Sequence, residues 1–164
     1  MEVNGWKLYA HKLFSDQITK LAEEVASLRE CDPSGYESHP KAKFLAAVNK
    51  LIRQVIPNDP SSPDFRQGNT LGKANRHWFR AKFQARYRLF FRFSSKHRII
   101  VYVWINDEKT LRQQGAKTDP YTVFETMLKQ GNPPQNFEQI LEDSARLDEL
   151  PKKKGRKKER SEGI

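Results

Sequence analysis

From Phe65 to Asn106 the chain contains not one Asp or Glu. Cysteine is almost as scarce. Cys31 stands alone, so no disulfide can close within the chain and a zinc site of several thiolates is excluded. The histidines His11, His39, His77 and His97 lie too far apart for metal-ligand spacing. No apolar run approaches the roughly 20 residues of a membrane span, and the start "MEVNGWKLYA" lacks the pattern of a signal peptide. A glycine-rich phosphate loop opening a helix is missing too. These lacks lead to the expectation of a reduced, soluble, cytoplasmic protein with no cofactor and no membrane segment.

What is present is positive charge, unevenly spread. The chain has 164 residues, enough for one domain with a modest core, and a net charge of +10. The segment 65–106 holds ten Lys and Arg, and by itself supplies +10. The tail 151–164 has seven basic and two acidic residues, a balance of +5, which leaves the remainder with thirteen basic against eighteen acidic, or −5. An acidic body with two basic zones presents charge to a polyanion at chosen places.

The order of elements follows from periodicity. "NGWKLYAHKLF" (residues 4–14) predicts a first strand, and Ser15 and Asp16 can cap a helix whose apolar face is Ile18, Leu21, Ala22, Val25 and Leu28. A second helix opens at Pro40, carries Phe44, Leu45, Val48, Leu51, Ile52 and Val55 inward, and stops at Pro57. A long loop runs over 57–75. Three strands follow: "WFRAKFQ", "RYRLFFRF" and "RIIVYVWI", the last apolar on both faces. A helix starts at Asp119-Pro120 and ends by Gly131, and a weaker one carries Phe137, Ile140, Leu141 and Leu147.

Parity selects the hairpin between the second and third strands. In one strand Phe79, Ala81 and Phe83 oppose Arg80 and Lys82. In the next, Tyr87, Leu89, Phe91 and Phe93 oppose Arg86, Arg88 and Arg92. A two-residue loop would pair Phe83 with Arg86 and set each basic row against an apolar row. A loop of Gln84-Ala85-Arg86 pairs Phe83 with Tyr87 and Lys82 with Arg88, so the basic side chains share one face. The expected sheet buries its aromatics under the helices and turns a wholly cationic face to solvent, as a groove for phosphates. Tyr102 and Trp104 either stack on bases there or belong to the core.

Four stretches carry a family resemblance: "VNGWKLYAH", "PSSPDFRQG", "RYRLFFRFS" and "NDEKTLRQQGAKTDPYTVFETMLKQGNPP". With them the chain resembles the RelE superfamily of bacterial type II toxins, and within it the YhaV family. The resemblance implies a RelE-like α+β fold over 1–150, a small antiparallel sheet with two N-terminal helices on one face and further helices at the C-terminal end, followed by a basic disordered tail, 151–164. It implies a toxin that cuts mRNA, on the ribosome, by attack of the RNA's own 2′-hydroxyl and without metal. The implied partner is an antitoxin of the PrlF kind, with an AbrB-like fold, and operator DNA is met only through the toxin–antitoxin complex.

Carried over residue by residue, the superfamily's basic pair falls on Arg80 and Lys82, and its strand arginine on Arg88. Its further basic residue falls on Lys109, Arg112 or Lys117. Its tyrosine falls on Tyr121, which could equally be a packed residue of a helix start. Arg88 is the expected charge stabiliser, because a guanidinium forks onto two phosphate oxygens. Lys82 could serve as a base if the site excludes water, with Glu108 its rival. Arg76, Arg86 and Arg92 are expected to contact RNA, and His77 is a surface residue or a minor helper. A non-catalytic RNA- or DNA-binding protein would show the same salt-sensitive basic groove.

The tail from Pro151 is expected to add affinity and no chemistry, since a charge block without apolar anchors cannot hold an active-site geometry. Truncation after Leu150 should flatten the salt dependence of RNA binding and leave single-turnover cleavage at saturation unchanged. Loss of that cleavage would give the tail a place in the site.

Overall fold

The computed structural model describes residues 1–150, so expectations for the tail lie outside the described residues. The chain is α+β around one mixed sheet. Strands β1 (Glu2–Val3) and β2 (Trp6–His11) form a hairpin turned by Asn4 and Gly5, both at positive φ, 53° and 83°. Helix α1 (Lys12–Cys31) follows directly. Its cap is not Ser15 or Asp16 but His11, whose Nδ1 accepts from the Leu13 amide at 3.2 Å, so the helix starts earlier than expected.

Helix α2 (Pro40–Lys50) opens with Pro40 in its first turn, as expected, behind the capping ring of His39. It continues through a π-helical turn, Leu51–Val55, into the short α3 (Ile56–Asn58). That turn keeps Leu51, Ile52 and Ile56 all buried, and its freed Ile52 carbonyl accepts from the Tyr102 hydroxyl at 2.6 Å. After the loop come β3 (Phe79–Phe83), β4 (Tyr87–Ser94), β5 (Ile99–Ile105), α4 (Pro120–Lys129), α5 (Phe137–Glu142) and β6 (Ser144–Arg146).

The strand order is β1-β2-β5-β4-β3, with β6 on the outer edge of β2 beside β1. Strand β2 runs parallel to β5, pairing Lys7 with Ile99 and Ala10 with Tyr102. The expected antiparallel sheet is therefore corrected to a mixed one. Helices α1 and α2 carry the chain back across one face after β2, which lets β5 lie beside β2 in the same direction. The β3–β4 hairpin has the expected register, Phe83 opposite Tyr87 and Lys82 opposite Arg88. Gln84 and Ala85 turn the loop at positive φ.

Both faces of the sheet are covered. On one, Phe14 of α1 and Val48 of α2 pack with Leu8, Ala81, Leu89, Phe91 and Tyr102. On the other, Tyr121, Phe124 and Leu128 of α4 and Ile140 of α5 pack with Trp78, Phe90, Val101 and Val103. The second layer overturns the expectation of an open cationic face. Alternation shows which residues share a face, but not what lies on top of it. No helix among the described residues is long and apolar enough to cross a membrane.

His11 supplies a pH test. It is fully buried and accepts a backbone proton, so it must stay neutral, and burial pushes its pKa below the ordinary 6.5 against the pull of Asp143. As pH falls through about 6.5 the unfolded chain takes up a proton that the folded chain refuses. Stability therefore drops from there down to the folded pKa. His11→Asn retains a cap acceptor that does not titrate. Denaturation midpoints measured between about pH 8 and about pH 5 should fall less steeply for this variant. Equal slopes would place the acid sensitivity elsewhere.

Candidate active site

Among the described residues β3 lies at the edge of the sheet, laddered to β4 and touched on its other side by a lone bridge from Phe79 to Arg66. Arg80 on β3 and Arg88 on β4 leave the same face and run under the N-terminal end of α4. There the Tyr121 hydroxyl accepts from Nε of Arg80 at 2.8 Å and from Nε of Arg88 at 3.2 Å. Both arginines are buried, with 8% and 7% of their surface exposed. Arg80 also donates through Nη1 to the Asp64 carbonyl at 2.9 Å, and Arg88 through Nη1 to the carbonyls of Ala85 and Tyr87 at 3.0 and 2.8 Å. Neither forms an ion pair with a described carboxylate.

Such an arrangement is costly. A guanidinium taken out of water without a counter-ion loses several kcal/mol of hydration, and two sharing one hydroxyl also repel. Neutral carbonyls satisfy their geometry but not their charge. Nη2 of each bonds to no described residue and is not among the buried polar atoms left without a partner. Two donors therefore stay available on the open side of the cluster, where an anion would supply the missing charge.

A third guanidinium completes the group. Arg112, from the loop between β5 and α4, lies over the Tyr121 ring at 4.8 Å and donates to Asp119 Oδ1 at 2.7 Å. Asn106, 1% exposed at the end of β5, ties this loop to the hairpin. Its Oδ1 accepts from the Arg88 amide at 2.7 Å, and its Nδ2 donates to the carbonyls of Arg86 and Thr110. The amide of Arg112 in turn donates to the carbonyl of Arg86, and Nε of Arg86 to the carbonyl of Arg112.

The structure thus gathers Arg80, Arg88, Arg112 and Tyr121, four of the sequence candidates. Lys82, Arg86, Arg76, Lys109 and Lys117 are exposed. Solvent around Lys82 removes the dry setting on which its role as a base depended. Glu108 is not brought to the cluster. It lies with Asp107 toward Tyr87, whose pKa is raised by burial first and by these two acids next. With Phe14, Lys20 and Phe44 these residues line a groove of about 500 Å³ beside α1 and α2.

Arg92 is packed rather than offered. Its guanidinium sits at 5.0 Å from the Trp78 ring and 5.6 Å from that of Phe137, and Nη1 donates to the Gln135 carbonyl. Burial lowers its pKa to about 10, which leaves it charged at neutral pH. His77 is exposed and bonds Gln135 Oε1 at 2.8 Å. Tyr102 and Trp104 both prove to be packing residues, on opposite faces: Tyr102 under the helices and Trp104 stacked on Phe90 and Phe124. Asn106 carried no sequence signal beyond a turn residue after a strand, and Asp119 was legible only as a helix cap.

The profile of the Toxin_YhaV family, described as a toxin with endonuclease activity of a toxin–antitoxin system, matches residues 8–145. The ribonuclease toxin YhaV of Escherichia coli (strain K12) is 49% identical over 144 residues, covering 87% of this chain and 94% of that protein. Toxin YhaV of Escherichia coli (strain CFT073) is also 49% identical over the same shares. No solved structure gives a significant match.

Because the two buried arginines lack a counter-charge, Arg88→Met should keep the denaturation midpoint or raise stability by up to about 2 kcal/mol. A loss of more than about 2 kcal/mol in urea unfolding would show that the carbonyl bonds outweigh the uncompensated charge.

Proposed function

The chain belongs to the YhaV family of toxins, and from that premise we propose that it is an endoribonuclease whose site is Arg80, Arg88, Arg112 and Tyr121. The observation that carries the reading is the pair of buried guanidiniums, each with a donor left over and no acid to neutralise it. A scissile phosphate placed against Nη2 of both would supply that acid. The fold in this reading is RelE-like, and the toxin works in the cytoplasm on mRNA at the ribosome, restrained by a PrlF-like antitoxin that covers the site.

Cleavage needs three things. The 2′-oxygen attacks phosphorus as its proton leaves, the pentavalent phosphorane gains negative charge, and the P–O5′ bond breaks as O5′ takes up a proton. A 2′,3′-cyclic phosphate and a 5′-hydroxyl result. Arg80 and Arg88 meet the growing charge with preorganised donors, in a setting too dry for water to screen them. Tyr121 suits the leaving group. Its oxygen already accepts from two guanidiniums, so its own proton is left to donate outward. Lys82, opposite Arg88 and open to solvent, contacts phosphate at the rim, as do Arg86, Lys109 and Lys117. The 2′-proton passes to water or to a group at that open rim.

Arg88 gives the sharpest test. Arg88→Ala should depress single-turnover cleavage by about 100-fold or more, because charge stabilisation confined to the transition state is lost. RNA binding should fall much less, since other cations share the phosphate contacts. Arg88→Lys should recover only part of the rate, an ammonium being a point charge without the fork. A variant that binds about tenfold worse yet cleaves normally at saturation would reduce Arg88 to a binding contact.

A further inference from the structure

Four of the described helical segments besides α4 have a side-chain cap, and in none is the capping group a carboxylate: His11, His39, Ser62 and Asn136. Helix α4 instead carries a carboxylate, Asp119, and buries it to 2% exposure. Capping alone does not account for this choice. Ser and Asn cap about as well as Asp, and a buried carboxylate is expensive unless it is paired.

The carboxylate uses both oxygens. Oδ2 accepts from the Tyr121 amide at 3.1 Å, which is the cap. Oδ1 accepts from Arg112 Nη1 and from the Gln113 amide, both at 2.7 Å. One side chain thus sets the first turn of α4, from which the Tyr121 hydroxyl reaches Arg80 and Arg88, and also fixes the guanidinium lying on the ring of that same tyrosine. An amide could not do both. With its single oxygen on the Tyr121 amide, its NH₂ would confront two further donors.

We propose that Asp119 is the positioning residue of the cluster: its carboxylate pins Arg112 against the face of Tyr121 and so sets Tyr121 between the two buried arginines. The role lies outside the reacting groups, and its effect on rate rests on the reading that those groups cut RNA. Asp119 also acts against net attraction. Of the charges gathered here it is the negative one, so removing it makes the site more cationic and should not weaken RNA binding. Positioning and affinity are therefore expected to move in opposite directions.

The test uses the full chain carrying Asp119→Asn, which retains the helix cap, alone and with Arg112→Ala. Single-turnover cleavage at saturating RNA should fall by about 10- to 100-fold in Asp119→Asn, as for a misplaced site, with RNA binding equal or tighter. In the Arg112→Ala background the same substitution should cost much less, since the group that it positions is gone and only the Gln113 amide still meets the new NH₂. Equal losses in both backgrounds would overturn the proposal and leave Asp119 a structural cap. A second readout does not depend on cleavage. In ¹⁵N-arginine spectra the Arg112 Nε–H signal, assigned by its loss in Arg112→Ala, should be shifted by the Tyr121 ring and move to the position of an exposed arginine in Asp119→Asn. A signal that stays in place would refute the pinning. A wild-type chain that cuts no RNA would remove the ribonuclease reading, while this spectrum would still decide for or against Asp119.

Discussion

The structure depends on one contact: two arginine Nε groups converging on the hydroxyl of Tyr121 beneath the start of α4. Like charges do not gather in a buried place unaided. The surrounding structure must hold them, and it does so from every side. Asp64 receives Arg80 from the long loop, the hairpin carbonyls receive Arg88, and Asp119 receives Arg112. The sheet sets the spacing, since Arg80 and Arg88 extend from adjacent strands of a fixed ladder. Tyr121 then reports whether α4 has docked correctly on that ladder.

The docking rests on aromatic stacking rather than on polar bonds. Phe90 lies between Arg88 and Arg92 in sequence and shares their face of β4. Its ring meets Phe124 of α4 at 4.4 Å, tilted by only 10°. Trp104 stacks on the same Phe124 at 5.7 Å, and Trp78 meets it edge-on at 5.0 Å. Such ring pairs contribute about 1 kcal/mol each beyond the area that they bury. A dry patch in the middle of the basic row thus holds the helix, and the helix keeps water from the arginines on one side. Arg92, clasped by Trp78 and Phe137, extends the same seam toward α5.

How far this was legible in the sequence depends on range. The β3–β4 register followed from parity, because basic and apolar residues alternate from Phe79 to Phe83 and, Phe90 apart, from Arg86 to Phe93, and a three-residue loop keeps like with like where a two-residue loop does not. Helix starts at Pro40 and Pro120 were equally local. The parallel pairing of β2 with β5 was not, since nothing in either strand specifies its neighbour. Strands β1 and β6 are too short to leave a pattern. Burial of Arg80 and Arg88 ran against their charge and could be seen only once α4 was in place. Tyr121 was placed by family likeness, whereas Asn106 and Asp119 lie in or beside a loop whose hydrogen bonds have no sequence period.

One local irregularity ties the ladder to the site. The pairing of β4 with β5 shifts between Phe90 and Phe91: Phe91 faces Tyr102, but Phe90 faces Trp104, with Val103 as the extra residue. Without it Trp104 would fall opposite Leu89 on the face of α1 and α2, and the stack with Phe90 and Phe124 could not form. The same shift carries Asn106 past the end of the strand to lie beside Arg88, where its side chain reaches the Arg88 amide. It also explains why parity could not assign Tyr102 and Trp104 to one face, as the two lie on opposite sides of the bulge. A single inserted residue in β5 therefore supplies both the aromatic seat for α4 and the amide that ties the loop between β5 and α4 to the hairpin. With Val103 paired instead of bulged, Trp104 and Ile105 would each shift by one place against β4 and turn to the opposite face of the sheet.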